Sequence, residues 1–402
     1  MSDFDIVQHT ILLTVGGSRI YGLNRLDSDV DVKGVVIPPA RYFHGILHRF
    51  EHSEAVEGFI PYLNADEREA AQHTKLEGTL FEIRKFLSLA SECNPNILDS
   101  LFCRDSEVRH ITPLGEVLRN ARGLFLSAES RHTFSGYASS QLKRIRGHRQ
   151  WLLHPPKQPP LRADFDLPET TLLPKDQLAA AEAAVRKQIE RWDVDWASLS
   201  PAAAIHIKSA IAEHLGEIRV ALGFETDGRA TWLAAARRVG LDSNLIYIMQ
   251  REREYEAAAR HWRQFVQWKT ERNPARAALE AKHGYDTKHA SHLVRLLRMG
   301  REILATGKVN VWRGADGGTG DAEELRTIRD GAWSYDQLVE TAEGEERELQ
   351  RIYQERTYVV PAKPDRASIE QLCLTLVETG LAQTGAPASK ALNYPETGLD
   401  HL

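Results

Sequence analysis

The sequence predicts an α+β protein in which a small mixed sheet is followed by a large α-helical domain, and three observations carry that expectation. About the first hundred residues alternate strand-like runs with glycine turns and short helical stretches. Beyond about Pro113 strand signals nearly vanish, and apolar residues recur at three- and four-residue intervals. At 402 residues with 42% hydrophobic side chains, the chain is long enough for two or three compact parts with substantial cores.

The elements follow in order. Thr10 to Val15 reads as a strand running into the glycine turn Gly16-Gly17-Ser18, and Val30 to Val36 reads as a second strand stopped by Pro38-Pro39. In the later part, Ala202 to Leu222 and Leu245 to Thr270 carry helical periodicity. Pro155 to Pro174 is a Pro-rich loop, and Gly314 to Gly320 is a Gly-rich loop expected to move. The texture divides the chain into 1–112, 113–382 and a weakly ordered tail, 383–402, rich in small and turn-forming residues.

Composition narrows the function classes. A net charge of -5 argues against broad, salt-driven coating of nucleic acid, so any nucleic-acid partner must be held locally. Cys93, Cys103 and Cys373 fit no zinc or redox spacing and read as buried thiols of a reducing compartment. The first residues lack a basic and apolar leader, and no stretch approaches the roughly 18 uninterrupted apolar residues of a membrane span. A cytoplasmic location is the expectation.

Two patterns carry chemistry. In Asp29-Val30-Asp31 the carboxylates are two residues apart, so on a strand both face the same side and repel. A divalent cation relieves that repulsion, and hard oxygen donors of this kind suit Mg²⁺. The turn at Gly17-Ser18 offers backbone N–H groups and a hydroxyl to triphosphate oxygens. Taken alone, Asp27-Ser28-Asp29 also reads as an ordinary solvated turn. The second pattern lies on a helix expected to begin near Asp286. There Lys288, His292 and Arg295 fall at i, i+4 and i+7, on a different arc from Leu293, Leu296, Leu297 and Leu304. The stripe suits a triphosphate, with Lys288 as a point charge and Arg295 as a bidentate donor. A solvated polar face is the alternative, and a histidine in such a place is more often structural.

An apolar strand, Gly-Ser, a spacer and Asp-apolar-Asp together resemble the signature of the DNA polymerase β-like nucleotidyltransferase superfamily. More narrowly, Gly17-Ser18-Arg19-Ile20-Tyr21-Gly22-Leu23 with Ser28-Asp29-Val30-Asp31 is similar to a bacterial and phage branch, one group of which accompanies RNA-repair ligases. Gly284-Tyr285-Asp286-Thr287-Lys288, Ala290, His292, Arg295 and the following Gly300-Arg301-Glu302-Ile303-Leu304 resemble a later motif of that branch. The resemblance implies a polymerase β-like catalytic domain in 1–112, with 113–382 closing over the nucleotide and binding the acceptor. It also implies a third acid from a neighbouring strand. Glu77, in Lys75 to Phe86, is the matching position, although the branch more often carries Asp there. Glu82 competes, but it falls in the run marked by Leu80, Ile83, Phe86 and Leu87 and is expected to face solvent.

The implied chemistry is two-metal nucleotidyl transfer, with Asp29, Asp31 and Glu77 as both catalytic residues and ligands of Mg²⁺ or Mn²⁺. Gly17, Ser18, Lys288, His292 and Arg295 would bind the nucleotide. The leading expectation is transfer of an NMP from an NTP to an RNA end, tRNA included. Modification of a protein hydroxyl, in the manner of antitoxin or stress-related relatives, uses the same chemistry. A catalytically silent nucleotide-binding scaffold is the reading from a different class, and the complete acidic triad argues against it. A second basic run, Gln141 to Trp151, follows Phe134 to Tyr137; its aromatics are expected to pack, leaving Lys143, Arg144, Arg146 and Arg149 as weak nucleic-acid candidates.

Overall fold

A computed structural model describes residues 4–171, 174–192, 228–272 and 274–383. The expected helix from Ala202 to Leu222 lies outside the described residues, as does the tail beyond Gln383.

Five strands form one mixed sheet: β1 (Thr10–Val15), β2 (Val30–Val36), β3 (His52–Ser53), β4 (Leu76–Glu82) and β5 (Val108–Ile111), in the order β3-β4-β2-β1-β5. The two runs of β-branched and apolar residues predicted as strands are β1 and β2, with the same ends. They pair antiparallel across the Gly-Ser turn, whereas β2 and β4 run parallel. Strand alternation sorts the side chains onto two faces. Val30, Val32, Val36 and Leu80 enter one core with Leu13 and Phe59. Leu12, Val35 and Phe81 belong to the larger core on the other face, where the helices pack. Asp31 and Lys33 alternate with the valines of the first core, so they share the helical face with Val35.

The described helices are α1 (Arg41–His44), α2 (Ala65–His73), α3 (Ile83–Ser91), α4 (Pro95–Phe102), α5 (Pro113–Asn120), α6 (Ser130–Leu153), α7 (Lys175–Trp192), α8 (Gly228–Arg238), α9 (Ser243–Glu271), α10 (Pro274–His283), α11 (Thr287–Thr306), α12 (Ala322–Arg329), α13 (Tyr335–Gln354) and α14 (Arg366–Gln383). No strand follows β5 among the described residues. The α+β expectation therefore describes the molecule. The texture change near residue 112 is the step from β5 to α5, and it falls inside one compact unit. That unit comprises Met1–Leu153 and Pro274–Leu402; the other is His154–Asn273.

In the first unit, α11 is the helix that positions the most. Asp286 caps it through the His289 amide, and Gly307, at φ 69°, ends it in the left-handed conformation that glycine adopts without strain. Its apolar arc, including Leu293, Val294, Leu297 and Ile303, packs chiefly on α6 and α13. In the second unit, Asp242 caps α9, the predicted Leu245 to Thr270 helix, and Val185, Trp232, Ile246 and Met249 form a small core. The Pro-rich loop is pinned there by Arg162, whose guanidinium reaches Glu252 at 2.5 Å and 2.9 Å.

The end of α11 is tied to the start of α12 by a charge triad around a buried arginine. Arg313 is 1% exposed and donates to Glu302 at 3.0 Å and to Asp321 at 2.7 Å and 2.8 Å. Burial pushes the Asp321 carboxyl up, but hydrogen bonds from Arg313, Thr319 and Arg298 outweigh it and bring its pKa to about 2. Removing Arg313 strands two carboxylates, so Arg313→Ala should lower the unfolding free energy by about 3–5 kcal/mol, measured by urea titration. Because the folded pKa of Asp321 is depressed, its contribution is present above its ordinary value of 3.8 and is lost as pH falls toward 2. Asp321→Asn should flatten the stability profile across that window; an unchanged acid limb would remove Asp321 from the account.

Candidate functional site

Asp31 is paired with Glu77 in the parallel β2–β4 register, so the two carboxylates stand side by side on the helical face of the sheet. Asp29, just ahead of β2, is exposed and accepts the Lys75 amide at 3.2 Å. The Lys75 ammonium lies 3.0 Å from Glu77. One strand edge thus orients two of the three acids. The turn after β1 supplies the opposite wall. Gly17 sits at φ 57°, and a Cβ there would come within 1.8 Å of Asp31 Oδ2. Only glycine permits both the left-handed backbone and the close approach of the carboxylate. Below it, the Gly16 N–H donates to the Asp31 carbonyl at 2.8 Å.

Burial raises the pKa of Asp31 most, followed by the charge of Glu77; Lys288 and Lys33 oppose the rise, and Asp29 adds to it. The charges of the other two acids and of a lysine from α11 therefore all reach Asp31. Converging hard oxygen donors whose mutual repulsion a divalent ion would remove fit Mg²⁺ or Mn²⁺, so the residues present suit the implied metal.

The Gly-Ser loop is held from behind by α12 and the segment before it. The Arg313 N–H donates to the Tyr21 carbonyl at 3.1 Å, Arg326 to that of Gly22, and Arg329 to that of Leu23 at 3.2 Å. Arg25 pairs with Asp330. Ser18 is half-buried, and its carbonyl accepts the Leu23 N–H at 2.9 Å, closing the loop on itself.

A buried polar chain runs beneath the acids. Lys33, two residues from Asp31 on the same face, donates to the Asn96 carbonyl at 2.6 Å, and burial lowers its pKa. Asp99, on α4, is 2% exposed; burial raises its pKa, against the pull of Arg295 and Lys33. The Tyr21 hydroxyl donates to Asp99, and the Arg295 guanidinium lies 3.6 Å from the Tyr21 ring centroid. Asp99 Oδ1 and Arg295 Nε are buried without a hydrogen-bond partner among the described residues. The chain therefore couples β2, the Gly-Ser loop, α4 and α11 through charge as well as packing.

The expected stripe on α11 divides into three environments. Lys288 is exposed and its charge reaches Asp31. The pKa of His292 is driven well below 6.5, first by burial and then by Arg295, His289, Lys288 and Arg329, so it stands neutral at pH 7 rather than cationic. Arg295 is 5% exposed and its guanidinium is committed to the Tyr21 ring, so it lies behind the face that Lys288 presents. Glu82 corrects the expectation of a solvent-facing acid. It ends β4 and caps α3, accepting the Arg84 and Lys85 amides at 3.1 Å and 3.3 Å, and is 3% exposed. The helical periodicity begins only at Ile83, and Leu80 and Glu82 belong to β4. In and just before the second basic run, Ile145 and Trp151 are buried and Tyr137 and Leu142 pack half-buried against the core, as expected, while Arg149 donates to the Gly284 carbonyl at 3.0 Å. Cys93 and Cys103 are buried thiols, whereas Cys373 is half-buried; all three are free.

Tyr21, Lys33 and Asp99 were missed in the sequence. Lys33 had a signal, being two residues beyond Asp31 on one strand face, and Tyr21 lies within the motif already quoted. Asp99 had none, because only the tertiary fold brings α4 under β2. Tyr21→Phe removes the donor to a buried carboxylate and should cost about 1–3 kcal/mol of stability in a denaturant titration. An unaltered midpoint would show that Asp99 does not depend on that hydroxyl.

Among the described residues, no helix is long and apolar enough to cross a membrane. No curated protein and no solved structure matched the chain. Residues 5–153 do match a family model, described as RlaP, RNA repair pathway DNA polymerase beta family. They span all five strands, the Gly-Ser turn and the three acids, so over these residues the chain is similar to a polymerase β-like family of the RNA repair pathway.

Proposed function

We propose that the protein transfers an NMP from an NTP to a hydroxyl at an RNA end, tRNA included, and releases pyrophosphate. The observation that carries this reading is the parallel register that sets Asp31 beside Glu77, with Gly17 against the Asp31 carboxylate. Asp29, Asp31 and Glu77 would hold Mg²⁺, with Mn²⁺ as a substitute. When bound, the ion would supply charge neutralisation on the phosphates and a lowered pKa for the acceptor hydroxyl. Gly17 and Ser18 orient the triphosphate through backbone N–H groups, and the Ser18 hydroxyl adds a donor. Lys288 draws the triphosphate toward α11. Neutral His292 offers a hydrogen bond rather than a charge, and Arg295 contributes a buried positive field from behind Tyr21. The acceptor oxygen bonds to the α-phosphorus as the bond to the bridging oxygen breaks, and Glu77 receives the hydroxyl proton.

The test is incubation with α-labelled NTPs, Mg²⁺ and separate RNA and protein pools. Label is expected on RNA. Label on protein alone would replace the acceptor with a protein hydroxyl, and binding without transfer would favour the scaffold. Asp29→Asn with Asp31→Asn should reduce transfer by at least about 10³-fold while the fold persists, because the change relieves repulsion. Full transfer by the folded double variant would exclude this site. Lys288→Ala should weaken NTP binding by about 10-fold, the scale of one charge-assisted hydrogen bond, as measured by calorimetry.

A further inference from the structure

We propose a second metal site, for Zn²⁺ or a similar borderline divalent ion, at the start of α11. It is formed by His148 of α6, Glu280 of α10 and Asp286, the cap of α11. One ligand atom from each of these residues lies within 4.8 Å of the others. Glu280 is 1% and Asp286 0% exposed, so two carboxylates withdrawn from water converge with a half-buried imidazole.

The hydrogen bonds around Asp286 fit a coordinated carboxylate. Its Oδ1 accepts the His289 amide at 3.1 Å. Its Oδ2 lies 2.8 Å from His289 Nδ1 and 3.1 Å from His148 Nδ1. Arg144 Nη1 lies 3.4 Å from His289 Nε2. A guanidinium only donates, so Nε2 accepts and the proton of His289 sits on Nδ1, directed at Asp286. His289 is then an orienting partner of a ligand, the arrangement that usually surrounds a protein-bound zinc. The separation of His148 Nδ1 from Asp286 Oδ2 is close to the ligand-to-ligand edge of about 3.3 Å in a tetrahedron with bonds near 2.0 Å. One nitrogen and two carboxylates favour Zn²⁺ over Mg²⁺, which prefers an all-oxygen shell. This set shares no residue with Asp29, Asp31 and Glu77. Lys288 lies between Asp286 and His289, so the ion would fix the turn that presents it.

The experiment uses the full chain, stripped with EDTA, dialysed, and titrated with Zn²⁺ against a chromophoric chelator. One tight equivalent is expected in the wild type and in the Asp29→Asn, Asp31→Asn variant. Glu280→Gln and His148→Ala should each lose it, and His289→Ala should weaken it by about 10–100-fold. Co²⁺ added to the stripped wild type should give the visible absorption of a low-coordinate nitrogen and oxygen site, a readout that does not depend on the variants folding. No tight equivalent, or no such absorption, overturns the proposal. So does Zn²⁺ binding that survives in folded Glu280→Gln but disappears with Asp29 and Asp31.

Discussion

The candidate site depends on the parallel pairing of β2 with β4. In that register Asp31 stands opposite Glu77, and the alternation set by Val30, Val32, Leu76 and Leu80 in one core turns both acids to the helical face. A slip of one residue would bury the acids in the apolar core and send valines to the helical face. The apolar residues of the sheet therefore specify the geometry of the polar ones. Gly17 completes the arrangement, because the Asp31 carboxylate occupies the space that any side chain would need.

Charge beneath the acids gives the site its second layer. Asp99, Tyr21 and Arg295 are withdrawn from water beside the half-buried Lys33, and burial dominates the perturbed pKa values of Lys33, Asp99 and Tyr21. Such a network is costly unless its members compensate one another, so it favours a single arrangement of β2, α4 and α11. Arg295 is best understood there. It is 5% exposed and its guanidinium lies over the Tyr21 ring. The arginines of α12 act from the opposite side, holding the Gly-Ser loop through its carbonyls.

Much of this was legible in the sequence, for physical reasons that can be named. The β1 and β2 runs are short, apolar and bounded by glycine and proline, so their ends were readable to the residue. The start of α11 near Asp286 was readable from the sequence, and the acid pair from its two-residue spacing. Glu82 was misread because an apolar periodicity cannot show where a strand hands over to a helix; the cap itself, reaching the Arg84 and Lys85 amides, marks the boundary. His292 and Arg295 were placed on the correct helix, but spacing alone cannot report that burial neutralises one and encloses the other. Asp99 and the grouping of His148 with Glu280 are long-range juxtapositions, visible only once α4, α6, α10 and α11 are packed.

The nucleotidyl-transfer account stands or falls on Glu77, the acid that the strand register rather than the short Asp-Val-Asp pattern brings to the site. Its most direct measurement is the rate at which Glu77→Gln moves labelled NMP to RNA under Mg²⁺. The account predicts a loss of at least about 10²-fold with the fold retained. Transfer at the wild-type rate would contradict it.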